Sequence, residues 1–164
     1  MTTLTKPEFR IERVFEAPRE RVWSAWTDPA KVAKWFGPKG CTVHVLSSDL
    51  RPGGFLHAHM EQGGAAYYGK FVYREIVAPQ RLVYEHGFAD AAANYTGSPF
   101  GGPWPLRLLT VVTLEDLRSK TRLVLTWTPL DASPEEEAAF AANIESMTGG
   151  WSGSFERLDE ALAG

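Results

Sequence analysis

The chain has 164 residues, of which 44% are hydrophobic and 23% charged, and its formal net charge at pH 7 is −3. These values are typical of one soluble globular domain, and without a basic excess they argue against a nucleic-acid partner. No apolar run approaches the roughly 20 residues of a membrane span, and the N-terminus lacks the apolar segment of a signal peptide. The single cysteine, Cys41, excludes an internal disulfide and fits a reducing compartment. We therefore expect one cytoplasmic domain over residues 1–164, with no membrane partner.

The chain begins with a pattern typical of one strand followed by two short helices. Apolar residues alternate at a period of two over residues 9–16, which predicts a strand. Pro18 suits the first turn of a helix, and Asp28 followed by Pro29 is a start signal for a second one. Gly37 and the proline after it end this second helix.

Between residues 41 and 128 the sequence predicts six strands that are separated by turns. In residues 55–61 the apolar side chains alternate with His57, His59 and Glu61, so we expect these polar residues on the outer, solvated face. Residues 89–105 are rich in Ala, Asn, Gly and Pro and have no periodicity, which predicts an irregular loop.

The C-terminal part predicts a long amphipathic helix. Ser133 and Glu136 have the spacing of a capping box, with a proline at the first helical position. Seven apolar residues then recur at helical spacing on one stripe: Phe140, Ile144, Met147, Trp151, Phe155, Leu158 and Leu162. A curved antiparallel sheet has an apolar concave face that such a helix can cover. The order of elements therefore predicts an α+β fold with six or seven antiparallel strands around a long C-terminal helix.

Several motifs resemble those of one known family. They are Ala17-Pro18, Val22-Trp23, Trp26-Thr-Asp-Pro29, Trp35-Phe-Gly-Pro38, Asp49-Leu-Arg-Pro-Gly-Gly54, the run from Tyr73 to Tyr84, and Gly150-Trp151 with Phe155. The chain resembles the activator of heat-shock-protein-90 ATPase homologue (AHSA) domains of the START-like, Bet v 1-like helix-grip superfamily, also called SRPBCC. The resemblance covers about residues 8–162 and implies the helix-grip fold.

The resemblance leaves several functions open. Superfamily members bind lipids, sterols, plant hormones or polyketides between sheet and helix, some are cyclases or dehydratases, and the eukaryotic namesake domain binds a chaperone. The family has no universal catalytic motif and implies no cofactor. Function must therefore be argued from the side chains of this chain's own site.

Strand and helix alternation predicts an aromatic cavity with a few polar groups. We expect seven side chains to face it: Tyr73, Tyr84, His86, Trp127, Met147, Trp151 and Phe155. We expect Trp35 and Trp104 near its mouth. These residues could bind a flat hydrophobic ligand or pack against one another in a filled core. Core packing is favoured for Trp127, Met147 and Phe155, whereas Tyr84 and His86 fit both roles.

Other polar residues give weaker hypotheses. His57, His59 and Glu61 form one row, but without a fourth ligand we predict no metal site. Arg13 and Glu75 both fall on faces expected to point inward, where they could form a structural salt bridge or bind a polar group of a ligand. If this pair faces the cavity, Glu75 is the first candidate for a general base and His86 the second.

The sequence therefore predicts the binding of a small hydrophobic or aromatic molecule, with residues 89–105 as a mobile gate. Two alternatives stay open. A small cyclase or hydrolase would need an acid/base pair in the cavity, such as Glu75 close to His86. A chaperone-regulating interaction module would instead have a closed, packed interior and an exposed apolar patch. A homodimer is also compatible with the sequence.

Overall fold

A computed structural model describes residues 6–37, 39–99 and 101–163. Its strands are β1 (Phe9–Phe15), β2 (Thr42–Ser48), β3 (Phe55–Gln62), β4 (Ala65–Val77), β5 (Arg81–Ala89), β6 (Arg107–Asp116) and β7 (Thr121–Leu130). Its helices are α1 (Arg19–Thr27), α2 (Pro29–Trp35), α3 (Pro134–Ala142) and α4 (Ile144–Ala163). No helix within the described ranges combines the length and the apolar character that crossing a bilayer requires.

The strands form one antiparallel sheet in the order β1-β7-β6-β5-β4-β3-β2. Each strand from β2 to β6 pairs with the next one along the chain, because tight turns connect most of them. β1 and β2 lie at opposite edges of the sheet, so α1 and α2 carry the chain from one edge to the other. The α+β helix-grip prediction is confirmed, with seven strands.

Strand register places the inner-face residues in rows across the sheet. Tyr73, Tyr84, Thr110, Trp127 and Phe9 stand opposite one another in consecutive strands. Residues directly opposite in antiparallel strands share a face, so this row lies on the side of the sheet that packs against α4. Of the residues in this row, Trp127 also lines the cavity between the sheet and α4.

A β-bulge in β4 overturns the prediction that Glu75 points inward. The register shifts between Tyr73 and Glu75, so the inward alternation breaks and the half-buried Ile76 packs against the core instead. Glu75 is exposed and accepts a hydrogen bond of 3.1 Å from Arg81. Arg13 does not reach it and instead donates to Asp159 of α4 at 2.5 Å.

The predicted C-terminal helix is interrupted once. The Ser133–Glu136 capping box is present at the start of α3. At Asn143 the backbone leaves helical geometry, and the side-chain amide donates to the carbonyl oxygen of Ala139 at 2.8 Å. Short polar side chains compete for backbone groups in this way and end helices. α4 then buries the predicted stripe from Met147 to Leu162.

His57 lies on the outer face of β3, as predicted, but it is not solvated. The residue is only 5% exposed, because the chain after β5 folds over it, and its Nε2 lies 3.0 Å from the carbonyl oxygen of Asp90. His59 lies beside it and is half-buried. Across the described residues no group of three or more His, Cys, Asp or Glu side chains is arranged to hold a metal ion.

Candidate functional site

A cavity of about 490 Å³ lies between the inner face of the sheet and α4. The sheet contributes Met60, Tyr67, Gly69, Phe71, His86, Gly87, Phe88, Leu108 and Trp127 to its wall. The helical side contributes Asn143, Ser146, Met147, Gly150, Trp151 and Ser154. The rim contributes Phe36, Gly37, Ser98, Gly101, Trp104 and Pro105.

The wall is aromatic and carries no formal charge. Among the described residues that line the cavity there is no Asp, Glu, Lys or Arg. Its polar groups are the imidazole of His86, hydroxyls such as that of Tyr67, and the amide of Asn143. A buried ionised ligand would need a compensating charge that this wall does not offer. The cavity is therefore suited to an uncharged, apolar molecule.

Five of the residues expected at the cavity do line it: His86, Trp104, Trp127, Met147 and Trp151. The ring of Trp151 packs edge-on against Trp127, with 5.6 Å between their centroids. β7 and α4 therefore meet through two indoles at the cavity wall. Trp127 and Met147, for which the sequence favoured core packing, are thus exposed to the cavity.

Trp35 does not lie at the mouth. Its side chain is fully buried, and its indole N–H donates to the carbonyl oxygen of Ala25 at 2.8 Å. Its ring packs against Trp26, with 4.7 Å between the centroids. α2 ends at Trp35, and the extended backbone that follows places Phe36, not Trp35, at the rim.

Tyr73, Tyr84 and Phe155 lie in the packed core beside the cavity and are absent from its wall. Tyr84 stacks on Phe71, with 4.4 Å between the ring centroids, so Phe71 covers it from the cavity side of the sheet. Phe155 meets Phe15 edge-on at 5.4 Å. Burial raises the pKa of Tyr73 to about 12 and holds the pKa of Tyr84 far above its usual range.

Sequence reasoning missed Phe36, Tyr67 and Phe71 as lining residues. Tyr67 and Phe71 share the inward alternation of β4 with Tyr73, and Phe71 stands directly opposite His86. That alternation is readable from the sequence, so these two residues could have been found. Phe36 could not, because its position depends on where α2 ends.

His86 is held in place by a hydrogen bond inside the sheet. Its Nδ1 lies 2.9 Å from Oγ1 of Thr110, a residue of β6 that is fully buried. Burial lowers the pKa of His86 to about 3, so the imidazole is neutral at physiological pH. It can exchange hydrogen bonds with a ligand but is a weak proton acceptor.

The loop that begins after β5 is anchored on the outer face of the sheet before it reaches the rim. The Tyr95 hydroxyl donates to Glu85 at 3.2 Å, and Glu85 also accepts from Arg74 at 2.6 Å and from Arg107 at 3.3 Å. Burial disfavours the ionised form of Glu85, but these partners together lower its pKa below the usual value. Further along the chain, Ser98, Gly101, Trp104 and Pro105 contribute to the cavity rim.

Comparison with known proteins agrees with this architecture. The family model described as activator of Hsp90 ATPase homolog 1-like protein matches residues 16–163. The chain belongs to this family. The resemblance in the tryptophan and proline motifs is thereby confirmed for nearly the whole chain.

Solved structures with the same fold come from several bacteria. A crystal structure of a protein from Mycobacterium smegmatis is 26% identical, covers 94% of this chain and 90% of that chain, and has a TM-score of 0.77. A solution structure of a protein from Arthrobacter aurescens is 27% identical, covers 95% of this chain and 86% of that chain, and has a TM-score of 0.78. The crystal structure of an AHSA1 protein from Silicibacter pomeroyi is 23% identical, covers 96% of this chain and 98% of that chain, and has a TM-score of 0.70. At this identity it shows the shared fold alone. A search of curated proteins found no match.

Proposed function

We propose that this AHSA-family protein binds a small, uncharged hydrophobic or aromatic molecule between the sheet and α4. The observation that carries the proposal is the cavity of about 490 Å³, whose wall is aromatic and, in the part of the chain that the structure describes, contains no charged residue. Its volume falls in the range of roughly 300–1,000 Å³ that is typical of small-molecule sites. The polar groups of the wall are few, as expected of a site that orients an apolar ligand.

Two observations favour binding over the alternatives. Glu75 is exposed and paired with Arg81, so the acid/base pair with His86 that an enzyme would need is not assembled. A packed interior would have favoured the hypothesis of a chaperone-regulating module. The cavity favours ligand binding instead. A chaperone contact, a homodimer and a cytoplasmic location stay predictions for this chain.

Two glycines of α4 provide a matched test. Apart from its chain neighbours and the backbone of its own helix, a Cβ atom at Gly150 or at Gly149 would meet no heavy atom of the described residues within 4 Å. Gly150 lines the cavity, whereas Gly149 is exposed on the helix and does not. Leucine favours helix more than glycine does, so neither Gly150→Leu nor Gly149→Leu is expected to destabilise α4.

Binding is measured by titration with the neutral fluorescent probe N-phenyl-1-naphthylamine. We expect Gly150→Leu to fill part of the cavity and weaken binding about tenfold or more, which corresponds to about 1.4 kcal/mol. Gly149→Leu should bind like the unmodified protein. Equal affinity in all three proteins, or no binding by the unmodified protein, would contradict the proposal.

A further inference from the structure

The two ring nitrogens of His86 have different surroundings. Nδ1 lies 2.9 Å from Oγ1 of Thr110 in the neighbouring strand β6, so it is engaged within the sheet. Nε2 is the ring nitrogen further from the backbone, and within residues 6–37, 39–99 and 101–163 it has no hydrogen-bond partner. The contact with Thr110 therefore orients the ring and leaves Nε2 unpaired.

This unpaired nitrogen is also accessible. In the described part of the chain, the buried side-chain nitrogen and oxygen atoms without a hydrogen-bond partner belong to Arg19, Trp26 and Trp127. His86 is half-buried and its Nε2 is not one of these atoms, so part of the surface of Nε2 is open. Because His86 lines the cavity, this open surface faces the space between the sheet and α4.

The side chains beside Nε2 are aromatic. Phe71 and Trp127 line the cavity next to His86, with 5.9 and 4.9 Å between their ring centroids and that of the imidazole. The indole nitrogen of Trp127 is inaccessible and offers no polar contact to a ligand. Buried polar groups normally have a partner, so a free nitrogen between aromatic rings indicates a ligand with one matching polar group.

The pairing with Thr110 leaves both neutral forms of the imidazole open. A hydroxyl group can donate to Nδ1 or accept from it, so the ring proton can reside on either nitrogen. Nε2 is a donor in one form and an acceptor in the other. A ligand hydroxyl can pair with both forms, whereas a carbonyl or ether oxygen pairs only with the form that has its proton on Nε2. The affinity of such an acceptor is reduced by the fraction of the other form.

We propose that the ligand is an uncharged aromatic compound with a hydroxyl group that forms a hydrogen bond with His86 Nε2. This inference rests on the proposed function and specifies its ligand class. A carboxylate or an ammonium group at the same place would bring a charge that no described lining residue compensates. Thr110 is a positioning residue, because it contacts the ring of His86 and not the ligand.

A matched pair of fluorescent probes tests the inference. 2-Naphthol and 2-methylnaphthalene are both uncharged at pH 7 and have the same ring system, with a hydroxyl group in one and a methyl group in the other. His86→Phe keeps an aromatic ring but has no polar atom, so the hydroxyl group would be buried without a partner. We expect this variant to bind 2-naphthol about tenfold more weakly than the unmodified protein does, with the affinity for 2-methylnaphthalene unchanged.

His86→Gln is the matched control, because its side-chain amide can both donate and accept near the position of Nε2. It should retain most of the affinity for 2-naphthol. If His86→Gln loses as much as His86→Phe, the loss comes from altered packing and the inference fails. The affinity for 2-methylnaphthalene shows whether each variant keeps a folded cavity.

A third probe separates a hydroxyl group from a simple oxygen acceptor. 2-Methoxynaphthalene can accept a hydrogen bond but cannot donate one, so its affinity should fall less than that of 2-naphthol in His86→Phe. Equal losses would mean that any oxygen acceptor suffices and would overturn the hydroxyl assignment. If 2-naphthol binds equally well to the unmodified protein and to His86→Phe, the inference fails while the binding function stands. If no probe binds the unmodified protein, the binding function itself fails.

Nitrogen-15 NMR of the unmodified protein tests the contact without any variant. Saturating 2-naphthol should shift the Nε2 resonance of His86, because a new hydrogen bond forms at this atom. Saturating 2-methylnaphthalene should shift it much less. Equal shifts with the two probes would overturn the inference.

Discussion

His86 sits where the packed core meets the cavity. Its ring contacts Phe71 and Tyr84 in the core, with centroid distances of 5.9 and 5.8 Å, and Trp127 at 4.9 Å. One nitrogen is bonded within the sheet and the other has no partner among the described residues. A residue in this position contributes to both the stability of the sheet and the chemistry of the site.

The half-buried imidazole of His86 makes stability depend on pH in a defined direction. The pKa of His86 is about 3 in the folded protein, against an ordinary value of 6.5. Between these values the unfolded chain binds a proton that the folded chain does not. The free energy of unfolding therefore decreases as the pH falls from 6.5 toward 3, by up to about 1.4 kcal/mol per pH unit from this group.

His86→Phe removes this contribution. Urea unfolding at about pH 7 and about pH 5, where most carboxylates stay ionised, should show a smaller loss of stability for the variant than for the unmodified protein. The difference between the two proteins isolates His86 from the other histidines. Equal losses in both would contradict the neutral state of this ring.

At the scale of elements, Arg157 connects α4 to the end of α2. Its guanidinium donates to the carbonyl oxygens of Lys34, Phe36 and Gly37, each at 3.2 Å. The last carbonyls of a helix have no partner within the helix, so an arginine in this place caps α2. Because Phe36 and Gly37 form part of the rim, the same contact fixes one side of the cavity.

We expect Arg157→Gln to lower the free energy of unfolding by about 1–3 kcal/mol, because it leaves partly buried carbonyls without a donor. Arg10→Gln is the control, since Arg10 and Glu12 form a surface pair whose side chains are 55% and 40% exposed. Such pairs contribute about 0–1 kcal/mol. Urea unfolding compares the two variants. Equal effects would mean that the contact between α2 and α4 does not depend on Arg157.

At the scale of the whole molecule, the proposed ligand binding would be coupled to the stability of the fold. Its wall takes residues from the sheet, from α4 and from the segment after α2, so a ligand contacts elements that are far apart in sequence. The complete wall exists only in the folded chain. A ligand that binds there should therefore stabilise the folded state by mass action.

N-phenyl-1-naphthylamine at ten times its dissociation constant should stabilise the protein by about 1.4 kcal/mol. For a domain of this size that corresponds to a rise in Tm of roughly 3–6 °C. Scanning calorimetry should show this rise for the unmodified protein and for Gly149→Leu. At the same probe concentration the Tm of Gly150→Leu should rise little or not at all. A rise in Tm equal to that of Gly149→Leu would mean that the probe binds outside the cavity.

The sequence by itself determined the order of elements, the family and the apolar stripe of α4. These follow from local signals, namely period-two alternation, the Ser133–Glu136 capping box and the tryptophan and proline motifs, which depend on near neighbours in the chain. Alternation also placed His86 and Trp127 on the inner face. Such signals hold as long as the strand is regular and the helix is uninterrupted.

The tertiary structure alone decided which inward residues reach the cavity and which lie in the packed core. The bulge in β4 turned Glu75 outward, and the end of α2 placed Phe36 where Trp35 was expected. Tyr84 is covered by Phe71, a neighbour from another strand. Each outcome depends on one extra residue in a strand or on packing between distant segments, and local periodicity contains neither.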